Sequence, residues 1–240
     1  MNLKNKYLMI ILAVIIIKTN FSINVQAKEY NRFNNISIED GLSQATVETM
    51  MQDSKGYIWL GTNDGLDRYN GYTFKKYSYE KGQENSLVNG YILDIKEDSE
   101  GNIWVATAAG ISKIYDDGEK VQNYTSDSES GNLSNDNTAT LLISSSNKIY
   151  VGTAEGINLY DKKTDKFNLI YPELKEEYIN SLAEDKYGNI WAGTENGLYR
   201  INVITNAIER FESTDNVNTI SENYIYKVYY DGDKHIWIGT

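Results

Sequence analysis

The stretch that decides the fold is DSKGYIWLGTNDGL, Asp53 to Leu66, because the chain repeats it with small changes. The later copies read DSEGNIWVATAAGI, SSSNKIYVGTAEGI, DKYGNIWAGTENGL and DGDKHIWIGT. The anchor aromatics of the five copies are 45, 46, 41 and 46 residues apart: Trp59, Trp104, Tyr150, Trp191 and Trp237. A constant period of this size is typical of proteins built from stacked structural units.

Two further positions keep a constant distance from each anchor. Six residues before it stands Asp53, Asp98, Ser144, Asp185 or Asp231. Two residues after it stands a small residue, Gly61, Ala106, Gly152, Gly193 or Gly239, always followed by threonine. The Asp-x-x-Gly pattern favours a hairpin turn, since Asp bonds nearby backbone and Gly accepts positive φ. We predict that these residues and the aromatics are structural anchors of the repeat.

Each copy is predicted to form four short strands, a to d. Strand a precedes the Asp, and its imperfect alternation of apolar residues suggests a bulge. Strand b carries the anchor aromatic, and it is apolar on both faces, which predicts burial on both sides. A second glycine turn leads to strand c, and a more polar strand d ends on an aromatic residue. No sustained helical periodicity appears after the first 27 residues.

Four antiparallel strands in each period of about 45 residues match one blade of a β-propeller, so the predicted fold class is all-β. A single blade cannot cover two apolar faces, and we therefore expect neighbouring sheets to cover one another. We also expect each anchor aromatic to pack against a glycine or alanine between adjacent sheets. The predicted blades span about 41–79, 86–125, 134–171, 176–212 and 219–240, the last one incomplete.

The first 27 residues resemble an export signal. Lys4 and Lys6 precede an apolar run from Tyr7 to Ile17, and Val25-Gln26-Ala27 is a small-x-small cleavage site. An uncleaved anchor is the alternative. Either reading predicts that residues 28–240, a partial propeller, lie on the extracytoplasmic side of the cell membrane.

Charge and composition narrow the classes of function. The signal segment holds three lysines and no acid, so its removal changes the net charge from −11 to −14. Such an acidic surface argues against nucleic acid as a partner, because phosphate binding needs clustered Lys and Arg. The chain has no cysteine, which excludes disulfides and cysteine catalysis.

The chain is expected to be the opening part of a longer protein. Residues 33–38 suggest a strand d that would complete the last blade and close the ring, whereas Thr240 directly follows a strand b. Counting the copies gives about four and a half blades.

With the spacing of Gly41 to Leu66 laid out, the chain resembles the two-component regulator propeller repeats over roughly residues 33–240. The third copy departs most, with Ser144, Asn147 and Tyr150 at the Asp, Gly and Trp positions. The resemblance implies the sensor region of a membrane-bound bacterial signalling protein with a seven-bladed ring. It further implies a downstream membrane helix and an output module of the histidine kinase or diguanylate cyclase type, outside these residues.

Catalytic chemistry is not predicted for the residues present. The only histidine, His235, lies beside anchor Trp237 and has a structural interpretation. One histidine without cysteine gives neither the usual nucleophile–base pair nor a zinc site, so no catalytic residue, metal or cofactor is predicted. The repeated aspartates are interpreted as turn residues, because a catalytic residue is usually unique in a ring.

Ligand discrimination is expected where loops vary on a constant scaffold. The strand b–c loops and one polar position of strand a provide the candidate ligand-binding residues: Asn63, Asp64, Glu155, Glu195, Asn196 and Asp94. The polar strand-a position, which also holds Thr49, Thr140, Ser181 and Lys227, is expected to line the central channel. Ordinary solvated turns are the alternative for each loop position.

Three functions remain open at this point. The favoured hypothesis is an extracytoplasmic sensor that binds a small molecule or glycan, or contacts a second propeller, and signals through a membrane helix further along the chain. A secreted propeller enzyme acting on polysaccharide, as a lyase or hydrolase, is the first alternative. A non-catalytic adhesion or interaction module is the second.

Overall fold

A computed structural model describes residues 34–127 and 132–240. The fold lies in the unit Ile36–Thr240. The predicted signal segment, residues 1–27, falls outside the described residues. No helix in the described part of the chain is long and apolar enough to cross a membrane.

The described chain forms five antiparallel sheets, four of which have four strands in sequence order. Sheet 1 contains β1 (Val47–Gln52), β2 (Ile58–Thr62), β3 (Gly65–Tyr69) and β4 (Phe74–Tyr77). Sheet 2 contains β5 (Ile92–Glu97), β6 (Ile103–Thr107), β7 (Gly110–Ile114) and β8 (Val121–Tyr124). Sheet 3 contains β9 (Thr138–Ile143), β10 (Ile149–Thr153), β11 (Gly156–Asp161) and β12 (Lys166–Ile170). Sheet 4 contains β13 (Ile179–Glu184), β14 (Ile190–Thr194), β15 (Gly197–Ile201) and β16 (Ile208–Phe211), and sheet 5 pairs β17 (Lys227–Tyr230) with β18 (Ile236–Gly239).

Two short 3-10 turns complete the regular structure of the described residues: Ile38–Asp40 and Pro172–Leu174. The all-β architecture of four-stranded blades confirms the predicted fold class. Within each full sheet the four strands correspond in order to strands a, b, c and d.

The apolar core lies between consecutive sheets. Four clusters of buried residues each draw on two neighbouring sheets, centred on Trp59, Trp104, Tyr150 and Leu198. Strands β6 and β10 are buried along their whole length, as predicted from their two apolar faces. Each of these sheets therefore depends on the sheets on both sides of it for its cover.

The anchor aromatics do not pack against glycine, which corrects the expected contact between sheets. The rings of Trp59 and Tyr77 in sheet 1 stack at 5.5 Å, and those of Trp104 and Tyr124 in sheet 2 at 5.7 Å. Trp59, Trp104 and Trp191 therefore each stack on the aromatic that ends strand d of their own sheet, and Trp104 also lies 4.8 Å from the ring of Tyr160 in sheet 3. Both rings and the small residue share one face, since side chains two apart on a strand point the same way.

The small residue after the anchor instead accepts a β-branched side chain from the next sheet. A Cβ on Gly61 would lie 2.5 Å from Cγ2 of Ile92, and one on Gly152 would lie 2.7 Å from Cγ2 of Ile179. Glycine is required there because real Cβ atoms essentially never come within 3.0 Å of another heavy atom. The close approach of strand b to the following strand a therefore sets the distance between sheets.

The bulge predicted for strand a is present in the four full sheets. The pairing with strand b shifts by one residue between Val47 and Thr49, between Ile92 and Asp94, and between Ile179 and Ser181. In sheet 3 the shift falls where Gly152 and Thr153 pair with Thr140 and Thr138. At each bulge one residue of strand a is left without a partner in strand b. The polar residue that follows it in strand a points toward the neighbouring sheet.

Two expectations differ from the structure at the ends of the described region. Residues 34–37 have no regular structure and Ile38–Asp40 form a 3-10 turn, where a ring-closing strand was predicted over 33–38. No strand within 34–127 or 132–240 pairs with this stretch. Trp237 is 61% exposed, unlike Trp59 at 2%, because no further described sheet covers β18.

Candidate ligand-binding face

The repeated aspartate joins its turn to the anchor tryptophan. In sheet 1, Oδ1 of Asp53 accepts hydrogen bonds from the backbone N–H groups of Lys55 and Tyr57, at 3.0 and 2.8 Å. Its Oδ2 accepts the indole Nε1–H of Trp59 at 2.7 Å. Asp98 and Asp185 make the equivalent indole bonds at 2.8 and 2.9 Å. These carboxylates are engaged in the scaffold at the turn between strands a and b.

Copy three replaces both partners of this bond. Tyr150 has no indole N–H, and Ser144 supplies a hydroxyl that accepts the backbone N–H of Lys148 at 3.1 Å. The turn is kept while the link to the anchor is absent. In copy five, Oδ2 of Asp231 is bonded to Nδ1 of His235 at 2.8 Å, beside the exposed Trp237. The single histidine therefore holds a turn, in line with its structural interpretation.

The opposite end of the strands carries the b–c turns, which are closed by the repeated threonine. The hydroxyl of Thr62 donates to the carbonyl of Gly65 at 2.8 Å and accepts the N–H of Asp64 at 3.1 Å. The same pair of bonds recurs at Thr107, Thr153 and Thr194. All four threonines are fully buried. The two residues between threonine and glycine are thereby held in one conformation in every full sheet.

Each b–c turn also touches the segment that leads into strand a of the next sheet. The N–H of Gly65 in sheet 1 donates to the carbonyl of Gly90 at 2.7 Å, and the hydroxyl of Thr138 donates to the carbonyl of Thr107 in sheet 2 at 2.7 Å. The N–H of Gly156 in sheet 3 donates to the carbonyl of Glu177 at 3.0 Å, and the N–H of Ile225 donates to the carbonyl of Thr194 in sheet 4 at 2.8 Å. The variable loops thus form one continuous surface, which we call the b–c face.

The structure places most of the predicted ligand-binding residues on this face. Asn63, Asp64, Glu195 and Asn196 are exposed, and Glu155 is half-buried. Two of them are bonded to a neighbouring segment: Glu155 accepts from Asn135 at 3.1 Å, and Asn196 donates to Glu177 at 3.1 Å. They lie in the b–c turns of sheets 1, 3 and 4, so the b–c face presents them in separate turns rather than in one cluster.

Asp94 does not belong to this face. It is 6% exposed, and its Oδ2 accepts the backbone N–H of Leu141 in sheet 3 at 2.9 Å. Its Oδ1 accepts from the N–H of Ile95 and from Nζ of Lys96, at 2.9 and 2.7 Å. Because both oxygens bond to the protein, Asp94 connects two sheets and does not offer a free carboxylate to a ligand.

The predicted channel-lining position is corrected in the same way. Ser181, which is fully buried, accepts the backbone N–H of Val228 in sheet 5 at 3.0 Å. Thr140 is 2% exposed and Thr49 is half-buried, whereas Lys227 is exposed. The bulge is the physical reason, because it points this side chain at the next innermost strand.

Tyrosines that sequence reasoning did not single out stand on the b–c face. Tyr91 and Tyr178 each precede the isoleucine that begins a strand a, and Tyr224 precedes Ile225 in the lead-in to β17; Tyr91 and Tyr224 are 41% and 37% exposed. The hydroxyl of Tyr178 donates to Oδ1 of Asn137 at 3.1 Å. Burial raises the pKa of Tyr224, and the nearby Glu195 carboxylate raises it further. The recurrence of tyrosine before isoleucine was the signal that could have found them.

No group of three or more metal-ligating side chains occurs within the described ranges. The b–c face therefore has aromatic rings, carboxylates and amides as its chemistry. Such groups can stack on a ring and exchange hydrogen bonds with hydroxyl groups.

Four segments of the chain match the family described as Two component regulator propeller: residues 41–64, 86–109, 173–196 and 219–240. Each segment contains a strand a, the repeated a–b turn and strand b. These are two-component regulator propeller repeats. The copy around Tyr150 lies outside the matched segments, and it is the one that has neither the aspartate nor the tryptophan. The regulator propeller therefore keeps its sheet geometry in a copy that lacks the aspartate and tryptophan present in its other four copies.

Histidine kinase P4 of Formosa agariphila is 35% identical to the chain over 74 residues, which are 30% of this chain and 5% of that protein. The extracellular domain assigned to a hybrid two-component system of B. thetaiotaomicron aligns over 86% of this chain and 40% of its own, with 19% identity and a TM-score of 0.43. The regulator propeller thus spans well under two thirds of these proteins.

Two solved structures share the fold at low identity. The WD40 β-propeller domain of Doa1 has a TM-score of 0.60 with 16% identity, over 82% of this chain and 61% of its own. Virginiamycin B lyase of Staphylococcus aureus has a TM-score of 0.59 with 16% identity, over 82% and 64%. At this identity the likeness concerns the propeller fold alone and not what either protein does.

Proposed function

We propose that the regulator propeller is the extracytoplasmic, ligand-sensing part of a membrane-bound bacterial signal-transduction protein. The family of its repeats and the export-signal pattern of residues 1–27 support this proposal. The ligand is a small hydroxyl-rich molecule such as a glycan, and it binds on the b–c face.

The observation that carries the proposal is the row of tyrosines and acids on the b–c face. Tyr178 and Tyr224 stand at the same position of consecutive sheets, and Glu195 lies in the turn between them. The rings of Tyr224 and Tyr226 are 4.6 Å apart, and Tyr226 is 64% exposed. Exposed rings that are fixed by neighbouring backbone lose little conformational entropy when a flat sugar ring stacks on them.

The threonine-closed turns support the same conclusion. Their backbone is held identically in every full sheet, while the two residues they present differ from sheet to sheet: Asn63-Asp64, Ala108-Ala109, Ala154-Glu155 and Glu195-Asn196. A rigid scaffold with changing side chains is suited to selecting one ligand among similar ones.

The test measures thermal unfolding of the full chain against a panel of neutral oligosaccharides. A ligand at 100 times its Kd stabilises the folded state by about 2.7 kcal/mol, which shifts the melting temperature measurably. We expect Tyr224→Ala to abolish the shift. Tyr187→Ala is the matched control, because Tyr187 is 75% exposed but lies in the a–b turn at the other end of the strands.

The proposal is wrong if no oligosaccharide shifts the melting temperature, or if Tyr187→Ala removes a shift that Tyr224→Ala leaves intact. The location is tested separately with alkaline phosphatase fused after Thr240, since this enzyme is active only when exported. We expect an active fusion whose activity is lost when residues 4–17 are deleted. An active fusion without those residues would contradict the predicted export signal.

A further inference from the structure

A cavity of about 350 Å³ lies between sheets 2 and 3. It is at the end of the strands that carries the a–b and c–d turns, opposite to the b–c face. Its lining includes Lys113, Tyr115, Lys148, Tyr160 and Lys162. Its volume is at the lower end of the range found for small-molecule sites in proteins.

Lys113 is the unusual residue of this cavity. It lies in β7 opposite Trp104 and is 8% exposed, and it is the only Lys or Arg among the buried residues within 34–127 and 132–240. Its Nζ is 4.7 Å from the ring centroid of Tyr115, 5.0 Å from that of Trp104 and 5.8 Å from that of Tyr160. A cage of three rings stabilises the positive charge through the faces of their π-systems.

The rings leave the N–H groups of this ammonium without a hydrogen-bond acceptor. No hydrogen bond or ion pair joins Lys113 Nζ to another residue of the described chain. Other lysines and arginines in the described residues do pair with carboxylates. No fully buried side-chain nitrogen or oxygen of the described residues lacks a partner. The ammonium therefore reaches the cavity, where a bound group can accept its hydrogen bonds.

The carboxylates around the cavity are already bonded elsewhere. Asp98 accepts from the indole of Trp104, and Glu100 pairs with Lys162. Asp165 accepts the hydroxyls of Tyr124 at 2.8 Å and Tyr160 at 2.5 Å. Lys148, which is exposed at the same cavity, has no carboxylate partner among the described residues. The unmet bonding capacity of the cavity is therefore on its cations.

We propose that this cavity binds a small hydroxylated carboxylate, of the size of a sugar acid. Its carboxylate accepts hydrogen bonds from Lys113 Nζ, and Lys148 contributes the second positive charge. Its ring lies against Tyr115 and Tyr160, and its hydroxyls meet Glu100 and Asn147, which also line the cavity. This site is separate from the b–c face, so either can exist without the other.

The equivalent position in the other sheets provides a matched control. Arg68, Leu159 and Arg200 face the anchors of sheets 1, 3 and 4. Arg200 lies 5.8 Å from the ring centroid of Trp191, as a cage cation does, but it is 2.6 Å from Glu209 Oε2. Its charge has a carboxylate partner, and we expect it to offer no site for a second one.

The experiment titrates the full chain with glucuronate, and with glucose as the neutral probe of the same size, by isothermal titration calorimetry. Tryptophan fluorescence is recorded in parallel, because a carboxylate at Lys113 changes the charge beside Trp104. We expect glucuronate to bind at least about tenfold more tightly than glucose. Lys113→Met should abolish the preference, and Arg200→Met should leave it unchanged.

The proposal is overturned if the unmodified chain binds neither glucuronate nor glucose, or if it binds both equally tightly. Binding of glucuronate that survives Lys113→Met in a folded protein would also overturn it. Lys113→Arg keeps the charge and should retain the preference. Tyr224→Ala should not affect glucuronate binding at this cavity, so a failure here is distinguishable from a failure of the b–c face.

Discussion

At the scale of the residue, the repeated aspartate is explained by two jobs that only a carboxylate can perform together. One oxygen accepts the N–H groups of a tight turn and the other accepts an indole N–H six residues later, as for Asp185 and Trp191. A serine can do the first job but cannot reach the indole, and Ser144 is accompanied by a tyrosine anchor. The Asp and the Trp are therefore one unit of the repeat.

This unit gives a pH dependence that can be measured at Asp185. Burial raises the pKa of Asp185, but hydrogen bonds from Asn189 and Trp191 outweigh burial and bring it below its ordinary value. The unfolded chain therefore takes up the proton first, at about pH 3.9, and the native state only at lower pH. The stabilisation is present above pH 4 and is lost as the pH falls through the native pKa.

Between pH 6 and pH 3 we expect the free energy of unfolding to fall more in the unchanged protein than in Asp185→Asn, which does not titrate. Urea denaturation at several pH values measures the difference. Asp215→Asn, an exposed position in the loop before β17, is the control and should follow the unchanged protein. Parallel curves for all three proteins would contradict a lowered pKa at Asp185.

The contact between glycine and isoleucine gives a second prediction at this scale. Gly152→Ala should destabilise the protein by about 1–3 kcal/mol, because its Cβ overlaps Ile179. The contact between sheets 2 and 3 shows how a larger residue at the glycine position is accommodated. There Ala106 takes the place of Gly152, and the smaller Thr138 takes the place of Ile179.

The double variant Gly152→Ala, Ile179→Thr should therefore cost less than the sum of the two single changes. We expect a coupling of about 1 kcal/mol, measured by urea denaturation of all four proteins in a double-mutant cycle. Additive costs would show that the two side chains do not compete for the same space.

At the scale of the element, the bulged strand a joins sheet 2 to sheet 3 and sheet 4 to sheet 5 through a polar side chain. Asp94 accepts the N–H of Leu141, and Ser181 accepts the N–H of Val228. In both cases an innermost strand receives a hydrogen bond from the strand beside it, although the two strands belong to different sheets. The bulge thus places a polar side chain where it can connect the innermost strands of two neighbouring sheets.

Removal of one such bond gives the prediction for the element. Ser181→Ala leaves the N–H of Val228 without its acceptor in a buried position, and we expect a loss of about 1–3 kcal/mol in the free energy of unfolding. Ser99→Ala makes the same substitution at an exposed serine and should change stability by less than about 0.5 kcal/mol. Equal effects in chemical denaturation would show that the bond between strands is unimportant.

The sequence predicts strands, turns and bulges here because each leaves a pattern that repeats in register. The five copies align Asp53 with its equivalents, so a turn that is predicted from one copy is supported by the other four. Contacts between sheets leave no such pattern, which is why the indole was expected on glycine when Ile92 fills that place. The ring-closing strand predicted over 33–38 stays a prediction, since its partner would belong to a last blade that the described sheets do not include.

The candidate site was predicted only in part for the same physical reason. Loop variability placed Asn63 and Glu195 on the b–c face, but it could not reveal which side chains are already bonded. Asp94 and Lys113 both occupy polar positions of apolar strands. Only the structure shows that the first has its partners and the second does not.

At the scale of the whole molecule, burial falls from the middle sheets to the last one. Trp104 is fully buried between sheets 2 and 3, whereas Trp237 in the two-stranded sheet 5 is 61% exposed. In a stack of repeats each unit contributes its own stability and that of its contacts with both neighbours. A substitution in a sheet with only one described neighbour should therefore reduce the stability less than one in a middle sheet.

Single substitutions should reveal this gradient. Trp104→Ala should cost about 3–5 kcal/mol, because it removes a buried indole and leaves Asp98 without its partner. Trp237→Ala should change stability by less than about 0.5 kcal/mol in the same chain. Urea denaturation measures both, and hydrogen exchange should show β17 and β18 exchanging faster than β6 and β10. Comparable losses for the two tryptophans would mean that sheet 5 is covered in solution.

The size matching between sheets also constrains how such a protein grows by gene duplication. A unit that begins with isoleucine fits behind any unit that presents glycine, as Ile92, Ile179 and Ile225 do here. The second unit presents Ala106, and the one that follows it begins with the smaller Thr138. A copy that begins with isoleucine can be inserted after any unit that presents glycine. A copy inserted after the second unit, which presents alanine, must also replace its first isoleucine with a smaller residue such as threonine. One methyl group thus fixes part of the order in which otherwise similar modules can follow one another.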